Sequence, residues 1–243
     1  MQADLLNALV ATGKPVVAVL IHGRPVTFVK WNLLPRLGAV LAAWRPGCEG
    51  GSAIWDLLTG AVAPSGRLAQ SWVRRVGQVK SQASPWYSAL QGDFDQVDYN
   101  GDLMSSGGDG ELSSWQPQWP FGFGLSYTAF AVAPLGVGVQ GSAVVASCNV
   151  TNVGAAAAKQ VVGLYYSRPV SSFVRNHRYL LAFGKTAVLA PGESATLALS
   201  APLAALASYD PRQGASVVEK GVYTVTFQTD SVTIQGNAVN ITV

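Results

Sequence analysis

The stretch AVLAAWRPGCEGGSAIWDLLTG, residues 39–60, changes its pattern at Pro46-Gly47. The run before this dipeptide, Ala39–Trp44, is continuously apolar, as in a strand that is buried on both faces. After the dipeptide, apolar residues recur at helical spacing, which predicts a helix from about 50 to 59, and Gly60 is a suitable residue to end it. The apolar residues of that helix are Ala53, Ile54, Leu57 and Leu58. A strand, a tight turn and a helix are therefore predicted here.

The preceding residues predict a second pair of the same elements. Residues 3–12 carry apolar side chains on one helical face, and Gly13 and Pro15 end the pattern. Residues 16–21 form another continuous apolar run, rich in β-branched residues. Helix, strand, strand and helix in this order are typical of an open α/β sheet. Two strands and two helices cannot cover both faces of such a sheet, so we expect partner elements to precede Met1.

The segment 73–118 is irregular, and a connection of this length is usually functional or disordered. Its second half is acidic and contains no basic residue between 93 and 111; the acidic residues are Asp93, Asp95, Asp98, Asp102, Asp109 and Glu111. Aromatic side chains of the kind that stack on sugars lie nearby: Trp86, Tyr87, Phe94, Tyr99 and Trp115. A catalytic carboxylate pair, a contribution to the rim of a sugar site and a solvated tip without function are all possible interpretations.

From 127 onward, short apolar runs alternate with turn residues, which predicts an all-β sandwich. The predicted strands are 143–150, 161–166, 179–183, 195–199, 222–227 and 232–234. The chain is therefore expected to have an α/β segment over 1–72, an irregular connection over 73–126 and a sandwich over 127–243.

Composition excludes several classes of protein. The chain is 49% hydrophobic and 12% charged, which is the opposite of a disordered chain. Its net charge of +3 is spread along the sequence with no basic patch, so we expect no nucleic-acid partner. No apolar run reaches the roughly 18 residues of a membrane span, so we expect no membrane insertion. The first residues lack the features of a signal peptide, and the location of the protein stays unknown.

The residues with reactive or metal-binding side chains form no recognisable set. Cys48 and Cys148 are interpreted as buried free thiols, with a disulfide as the alternative, and His22 and His177 complete no metal-ligand spacing. We expect both histidines to be structural, and we expect no metal and no cofactor. The sequons that begin at Asn149 and Asn240 lie in strand-like sequence and would be glycosylated only in a secreted chain.

Three sequence blocks are more specific than any periodicity. They are residues 13–26, residues 43–54 with their continuation to Leu68, and residues 119–128, which include Trp-Pro-Phe-Gly-Phe-Gly-Leu-Ser-Tyr-Thr. Their order and spacing resemble the C-terminal part of glycoside hydrolase family 3, the β-glucosidases and β-xylosidases. The sandwich resembles the fibronectin type III-like domain of that family, in particular around Asn152-Val153-Gly154 and Pro191-Gly192-Glu193.

Other interpretations of the same blocks are physical. The glycines at 47, 50 and 51 permit a tight turn into a helix; Glu49 would repel an anion there, which favours a structural role. A carboxylate across the sheet is a candidate partner for Arg67. The alternating aromatic and glycine residues at 120–124 are expected to pack between the two domains, with direct contact to sugar as the alternative.

The resemblance also implies what this chain lacks. Family members have an Asp nucleophile on an N-terminal (β/α)8 barrel and an acid/base Glu upstream of the segment that matches residues 13–26, so no residue here inherits a catalytic role. We therefore expect a fragment of a retaining β-glycosidase for β-linked glucosides or xylosides, inactive without the barrel and the upstream α/β half. The alternatives are a non-catalytic carbohydrate-associated binding or scaffolding module, and one half of a split hydrolase whose barrel is encoded separately.

Overall fold

The computed structural model of the protein describes residues 2–28, 33–72, 118–173 and 178–243. These residues form two compact units. The described part of the α/β unit is 2–28, 33–62, 71–72 and 118–119, and that of the sandwich unit is 63–70, 120–173 and 178–243. Residues 63–70 thus group with the sandwich, although the sequence places them in the N-terminal segment.

The α/β unit contains two helices and a two-stranded parallel sheet. Its elements are α1 (Gln2–Ala11), β1 (Val17–Ile21), a 3-10 turn (Leu34–Arg36), β2 (Ala39–Trp44) and α2 (Gly50–Thr59). The two strands pair in parallel with Val17 opposite Ala39. The predictions of both helices and both strands are confirmed, and α2 ends at Gly60, which adopts a left-handed φ of 79°.

Much of the apolar surface of the α/β unit is exposed. α1 has no buried residue, and Ala18 is the buried residue of β1. Ile21 at the end of β1 is 69% exposed, and Trp55 on α2 is 66% exposed. The apolar sequence of the two strands would allow both faces of this sheet to be buried. The described residues do not cover both faces. No helix in the described ranges is long and apolar enough to cross a bilayer.

The sandwich unit consists of two antiparallel sheets and a short hairpin. Its strands are β3 (Phe130–Gln140), β4 (Ala143–Asn152), β5 (Val161–Ser167), β6 (Tyr179–Lys185), β7 (Ser194–Pro202), β8 (Ser208–Asp210), β9 (Ala215–Val217), β10 (Val222–Gln228) and β11 (Ile234–Thr242). One sheet has the order β11-β10-β5-β6, the other has the order β3-β4-β7, and β8 pairs with β9. The two larger sheets enclose one apolar core.

Both sheets contribute buried residues to that core, with strict alternation on β4 and longer buried runs on β5 and β10. On β4 every second residue is buried, including Val144, Cys148 and Val150. On β10 the buried aromatic residues Tyr223 and Phe227 point into the same core from the other sheet. Side chains of two inner faces meeting in this way are the usual core of a β-sandwich. The predicted sandwich is therefore confirmed.

The sequence misplaced or missed some strands. The prediction for 232–234 is wrong at its start because the Asp230 carboxylate accepts hydrogen bonds from the backbone N–H groups of Val232 and Thr233, which forms a turn, and β11 begins at Ile234. β3 was not predicted because Pro134 and two glycines interrupt its pattern, and its register shifts between Pro134 and Gly136. The hairpin β8–β9 was also not predicted, since its strands are only three residues long.

Candidate functional site

An aromatic cluster lies at the carboxyl ends of β1 and β2. The backbone N–H of His22, just after β1, donates to the carbonyl of Trp44 at the end of β2 at 3.0 Å. The centroid of the His22 ring lies 4.6 Å from that of the Trp44 ring and 5.1 Å from that of the Trp72 ring. Trp72 in turn contacts Trp119 at 5.5 Å, and the two form an antiparallel bridge. Open α/β sheets commonly bind ligands at the carboxyl ends of their strands. In this unit, aromatic side chains line that edge.

The backbone and hydrogen bonds of the cluster fix its geometry. Trp44 adopts a left-handed φ of 53°, which is strained for a bulky residue. Trp72 is fully buried, and its indole N–H donates to the carbonyl of Val26 at 2.7 Å. Nδ1 of His22 lies 2.6 Å from the carbonyl of Arg24, so Nδ1 carries the proton. Nε2 of His22 is buried and has no partner among the described residues. His22 therefore packs as one ring of the cluster, with its orientation fixed through Nδ1.

The glycine turn before α2 has the structural role that the sequence suggests. A Cβ on Gly50 would lie 2.6 Å from Cβ of Pro46, so no side chain fits at this position. Glu49 occupies the N-cap position of α2, is exposed and makes no capping hydrogen bond through its side chain. Among the described residues, no side-chain hydrogen bond or ion pair of Glu49 is seen that would position it for chemistry.

The two cysteines differ in their exposure to solvent. Cys148 is a buried free thiol, and burial raises its pKa to about 11. Cys48 is also a free thiol, but it is exposed in the turn that leads into α2, so the prediction that it is buried is wrong.

The aromatic and glycine residues at 120–124 pack closely against two other segments of the sandwich unit. Leu68 and Phe123 are joined by a backbone hydrogen bond of 2.9 Å, and the N–H of Ser231 donates to the carbonyl of Phe121 at 2.8 Å. A Cβ on Gly122, which has a φ of 83°, would lie 2.9 Å from Cα of Asp230, and one on Gly124 would lie 2.6 Å from the carbonyl oxygen of Gly66. Glycine is required here because neighbouring backbone occupies the side-chain space.

Arg67 joins the connecting segment to the sandwich. Its Nη2 donates to Oε1 of Gln160 at 2.8 Å, and its Nη1 donates to the carbonyl of Gly66 at 3.2 Å. Gln160 is only 3% exposed, and burial lowers the pKa of Arg67. Among the described residues, the side-chain partner of Arg67 is thus an amide and not the carboxylate that the sequence suggested; Asp230 acts on Arg67 only through its charge. A cavity of about 260 Å³ opens beside this pair.

The described carboxylates of the sandwich unit accept hydrogen bonds in turns and form ion pairs with Arg168 and Arg212. Glu193 accepts from the N–H of Ala190 at 2.8 Å, and Asp210 accepts from that of Arg212 at 2.9 Å. Glu219 lies 3.1 Å from the guanidinium of Arg168. These contacts are those of structural carboxylates, and none of them was assigned a catalytic role from the sequence.

Several sequence-derived candidates lie outside the described residues. These are His177, the acidic residues between 93 and 111, and the aromatic residues Trp86, Tyr87, Phe94, Tyr99 and Trp115. Within the described ranges, no group of three or more His, Cys, Asp or Glu side chains could bind a metal ion. Sequence reasoning missed Gln160, for which no motif exists, and Asp230, whose Asp-Ser-Val-Thr sequence is compatible with the turn that it forms.

Sequence profiles match two consecutive regions of the chain. The profile of the glycosyl hydrolase family 3 C-terminal domain matches residues 1–127. The profile of the fibronectin type III-like domain matches residues 160–231. The two matches follow the order of the α/β unit and the sandwich.

Curated relatives and solved structures give the same result. A periplasmic beta-glucosidase of Salmonella typhimurium is 34% identical over 96% of this chain, and a beta-xylosidase of Formosa agariphila is 31% identical over 100% of it. The structure of beta-glucosidase 3B from Thermotoga neapolitana in complex with α-D-glucose superposes with a TM-score of 0.79 at 26% identity over 99% of the chain. The chain spans only 30%, 32% and 33% of these three proteins, respectively.

Proposed function

We propose that this chain, which belongs to glycosyl hydrolase family 3, forms the C-terminal part of a retaining β-glycosidase for β-linked glucosides or xylosides. The observation that carries this proposal is the match to relatives named beta-glucosidase and beta-xylosidase along 96% and 100% of this chain. The chain corresponds to about a third of the length of those relatives. It would therefore supply supporting domains of the enzyme, while the rest of the enzyme carries out the reaction.

Retaining glycosidases need two carboxyl groups about 5–5.5 Å apart, one as nucleophile and one as general acid and base. In the sandwich unit, Glu193, Asp210, Glu219 and Asp230 are held by local hydrogen bonds or an ion pair. In the described part of the α/β unit, the exposed Glu49 side chain makes no capping hydrogen bond. We therefore place the catalytic pair in the part of the enzyme that this chain does not contain, on a barrel and an upstream α/β half.

The exposed apolar surface of the α/β unit supports this assignment. Leu5 and Leu9 lie one turn apart on α1 and are both exposed, as are Trp55 and Leu58 on α2. Soluble monomers rarely expose contiguous apolar surface of more than a few hundred Å². A complete enzyme would cover this surface with the remaining elements of its α/β domain.

A chimeric enzyme tests the proposal. The C-terminal 30% of the Salmonella typhimurium relative would be replaced by this chain, and hydrolysis of nitrophenyl β-glucoside and β-xyloside would be measured beside the truncated relative. We expect activity from the chimera and none from the truncated protein. A soluble, folded chimera without activity would argue instead for a binding or scaffolding module.

A further inference from the structure

The cavity of the sandwich unit has a polar wall and a small volume. Its lining includes Arg67, Ser126, Phe130, Gln160, Asp230 and Gln235, and it encloses about 260 Å³. Pockets for drug-sized ligands start at roughly 300 Å³. An occupant of this cavity is therefore a small molecule that is bound mainly by hydrogen bonds and charge.

One cation lines the cavity, and two more lie close to it. Arg67 lines it, and Lys159 and Lys185 lie nearby: Lys159 precedes Gln160, and Lys185 pairs with Val161 across β5 and β6. Burial lowers the pKa of Lys185, and the charges of Lys159 and Arg67 lower it further, so the three cations act on one another. Within the described part of the chain, none of the three forms an ion pair.

Arg67 also retains hydrogen-bonding capacity. A guanidinium has five N–H groups, and the bonds to Gln160 and Gly66 use one on each terminal nitrogen. The backbone of Gly124 packs against the Arg67 side chain, which holds it in place. A fixed guanidinium with unused N–H groups is the preferred protein partner of a carboxylate.

The cavity lining also contains the carboxylate of Asp230, which accepts hydrogen bonds, and the hydroxyl of Ser126. The Asp230 carboxylate is fixed by the N–H groups of Val232 and Thr233, at 2.8 and 2.7 Å, and its charge adds to burial in raising the pKa of Tyr165 to about 12. Oγ of Ser126 is buried and has no hydrogen-bond partner among the described residues. A buried hydroxyl without a partner is unfavourable. Because Ser126 is part of the cavity lining, rotation of its side chain would bring the hydroxyl to a ligand in the cavity.

We propose that this cavity binds a small hydroxy acid, whose carboxylate pairs with Arg67 near Lys159 and Lys185 and whose hydroxyl groups bind Asp230 and Ser126. A simple anion fits less well, because Asp230 would repel it and Ser126 would stay unpaired. Asp230 offsets part of the charge of Arg67, but a neutral polyol would leave Lys159 and Lys185 without a counter-charge among the described residues. The inference does not depend on the proposed glycosidase function.

Three probes that differ by one feature test the proposal. Saturation-transfer NMR on the complete 243-residue chain would measure D-glycerate, glycerol, which lacks the carboxylate, and acetate, which lacks the hydroxyls. This ligand-observed method tolerates self-association of the protein. We expect D-glycerate to bind about fivefold or more tightly than either of the others, and its binding to weaken with added salt. Equal affinities of D-glycerate and acetate, equal affinities of D-glycerate and glycerol, or no saturation transfer would each overturn the proposal.

Two substitutions locate the site. Ser126→Ala should weaken D-glycerate and glycerol binding by roughly two- to tenfold, the effect of one hydrogen bond, whereas Ser200→Ala on the exposed face of β7 should change neither. Lys185→Gln, at an exposed residue, should weaken D-glycerate but not glycerol. It provides the test if Ser126→Ala does not fold. The same affinities in wild type and both variants would contradict the proposed site.

Discussion

Nη2 of Arg67 donates a 2.8 Å hydrogen bond to Oε1 of Gln160, a residue 93 positions further along the chain. The bond ties residues 63–70 to the start of β5, and the backbone contact between Gly66 and Gly124 lies beside it. This connecting segment is therefore part of the sandwich unit, although it follows α2 directly in the sequence. Its contacts should contribute to the stability of the sandwich.

Arg67→Ala should lower the free energy of unfolding of the sandwich unit by about 1–3 kcal/mol. The substitution leaves the buried Oε1 of Gln160 without its donor, and an unpaired buried polar group costs an amount in that range. Urea unfolding followed by circular dichroism of the β-sheet signal, which comes mainly from the strands of the sandwich unit, measures the change. Arg212→Ala is the matched control: its side chain is 82% exposed and lies 3.9 Å from Asp210, so we expect about 0.5 kcal/mol or less. Equal effects would show that the bond to Gln160 is not stabilising.

Gly124→Ala should destabilise the same unit by about 1–3 kcal/mol, since a Cβ would lie 2.6 Å from the Gly66 carbonyl oxygen and the connecting segment would have to move. Gly136→Ala on β3 is the control, because a Cβ there meets nothing within 4 Å. Its effect should stay within about 0.5 kcal/mol. Thermal unfolding of both variants beside the wild type decides the point. A similar loss of stability in both variants would mean that the connecting segment can move away from residue 124 without destabilising the sandwich.

The helices and strands that could be predicted from the sequence are those whose apolar pattern and end signals lie within the element itself. α2 was predicted with its correct ends because its apolar face is periodic and Gly60 provides a left-handed C-terminal residue. β3 was missed because Pro134, Gly136 and Gly138 break the apolar alternation, although all three lie within a paired strand. The pairing of neighbouring strands supplies the hydrogen bonds and packing that this sequence does not signal by itself.

The contacts around the cavity could not be predicted for a different reason. Arg67 and Gln160 are distant in sequence, and an amide partner has no motif, so electrostatic reasoning suggested a carboxylate instead. The turn at Asp230 was locally recognisable, but its approach to Gly122 depends on how the whole unit folds. In the α/β unit, the contact of Trp72 with Trp119 likewise joins two segments that are far apart in the chain.

The two thiols should react at very different rates with iodoacetamide. Burial raises the pKa of Cys148 to about 11, so at pH 8 only about one thousandth of it is thiolate, and its burial also blocks the reagent. Cys48 is exposed and should be alkylated in the folded protein. Mass spectrometry should show one modification under native conditions and two in urea. In Cys48→Ser the native modification should disappear; its persistence would mean that Cys148 becomes accessible without global unfolding.

The isolated chain should not hydrolyse nitrophenyl β-glucoside or β-xyloside, because the proposed function places both catalytic carboxyl groups outside it. Purified protein from two different affinity tags, assayed at high concentration, provides the measurement. If turnover does occur, Ala substitutions of Asp93, Asp95, Asp98, Asp102, Asp109 and Glu111 would show whether that segment supplies the carboxylates. Activity abolished by one of these substitutions would assign catalysis to this chain.

The exposed apolar residues of the α/β unit should make the isolated chain bind a hydrophobic dye or self-associate. Leu5 and Leu9 on α1, Trp55 and Leu58 on α2 and Ile21 on β1 are all exposed. Apolar surface of this kind favours association, and unpaired sheet edges increase the tendency. Anilinonaphthalene sulfonate fluorescence and light scattering measure the two effects. A monodisperse chain that does not bind the dye would contradict the fragment interpretation and favour a self-sufficient module.

Substitutions on α2 locate the source of that behaviour. Trp55 and Leu58 lie three residues apart and so share a face of the helix. The double variant Trp55→Gln, Leu58→Gln should reduce dye fluorescence and scattering with little loss of stability, because both side chains are exposed. Tyr209→Gln, at a residue of the sandwich unit that is 63% exposed, should change neither signal. In the chimeric enzyme, the same double variant should lower activity or yield, because there the α2 surface would be covered by the rest of the α/β domain. If the variant behaves like wild type in both the isolated chain and the chimera, the α2 surface is not a contact surface.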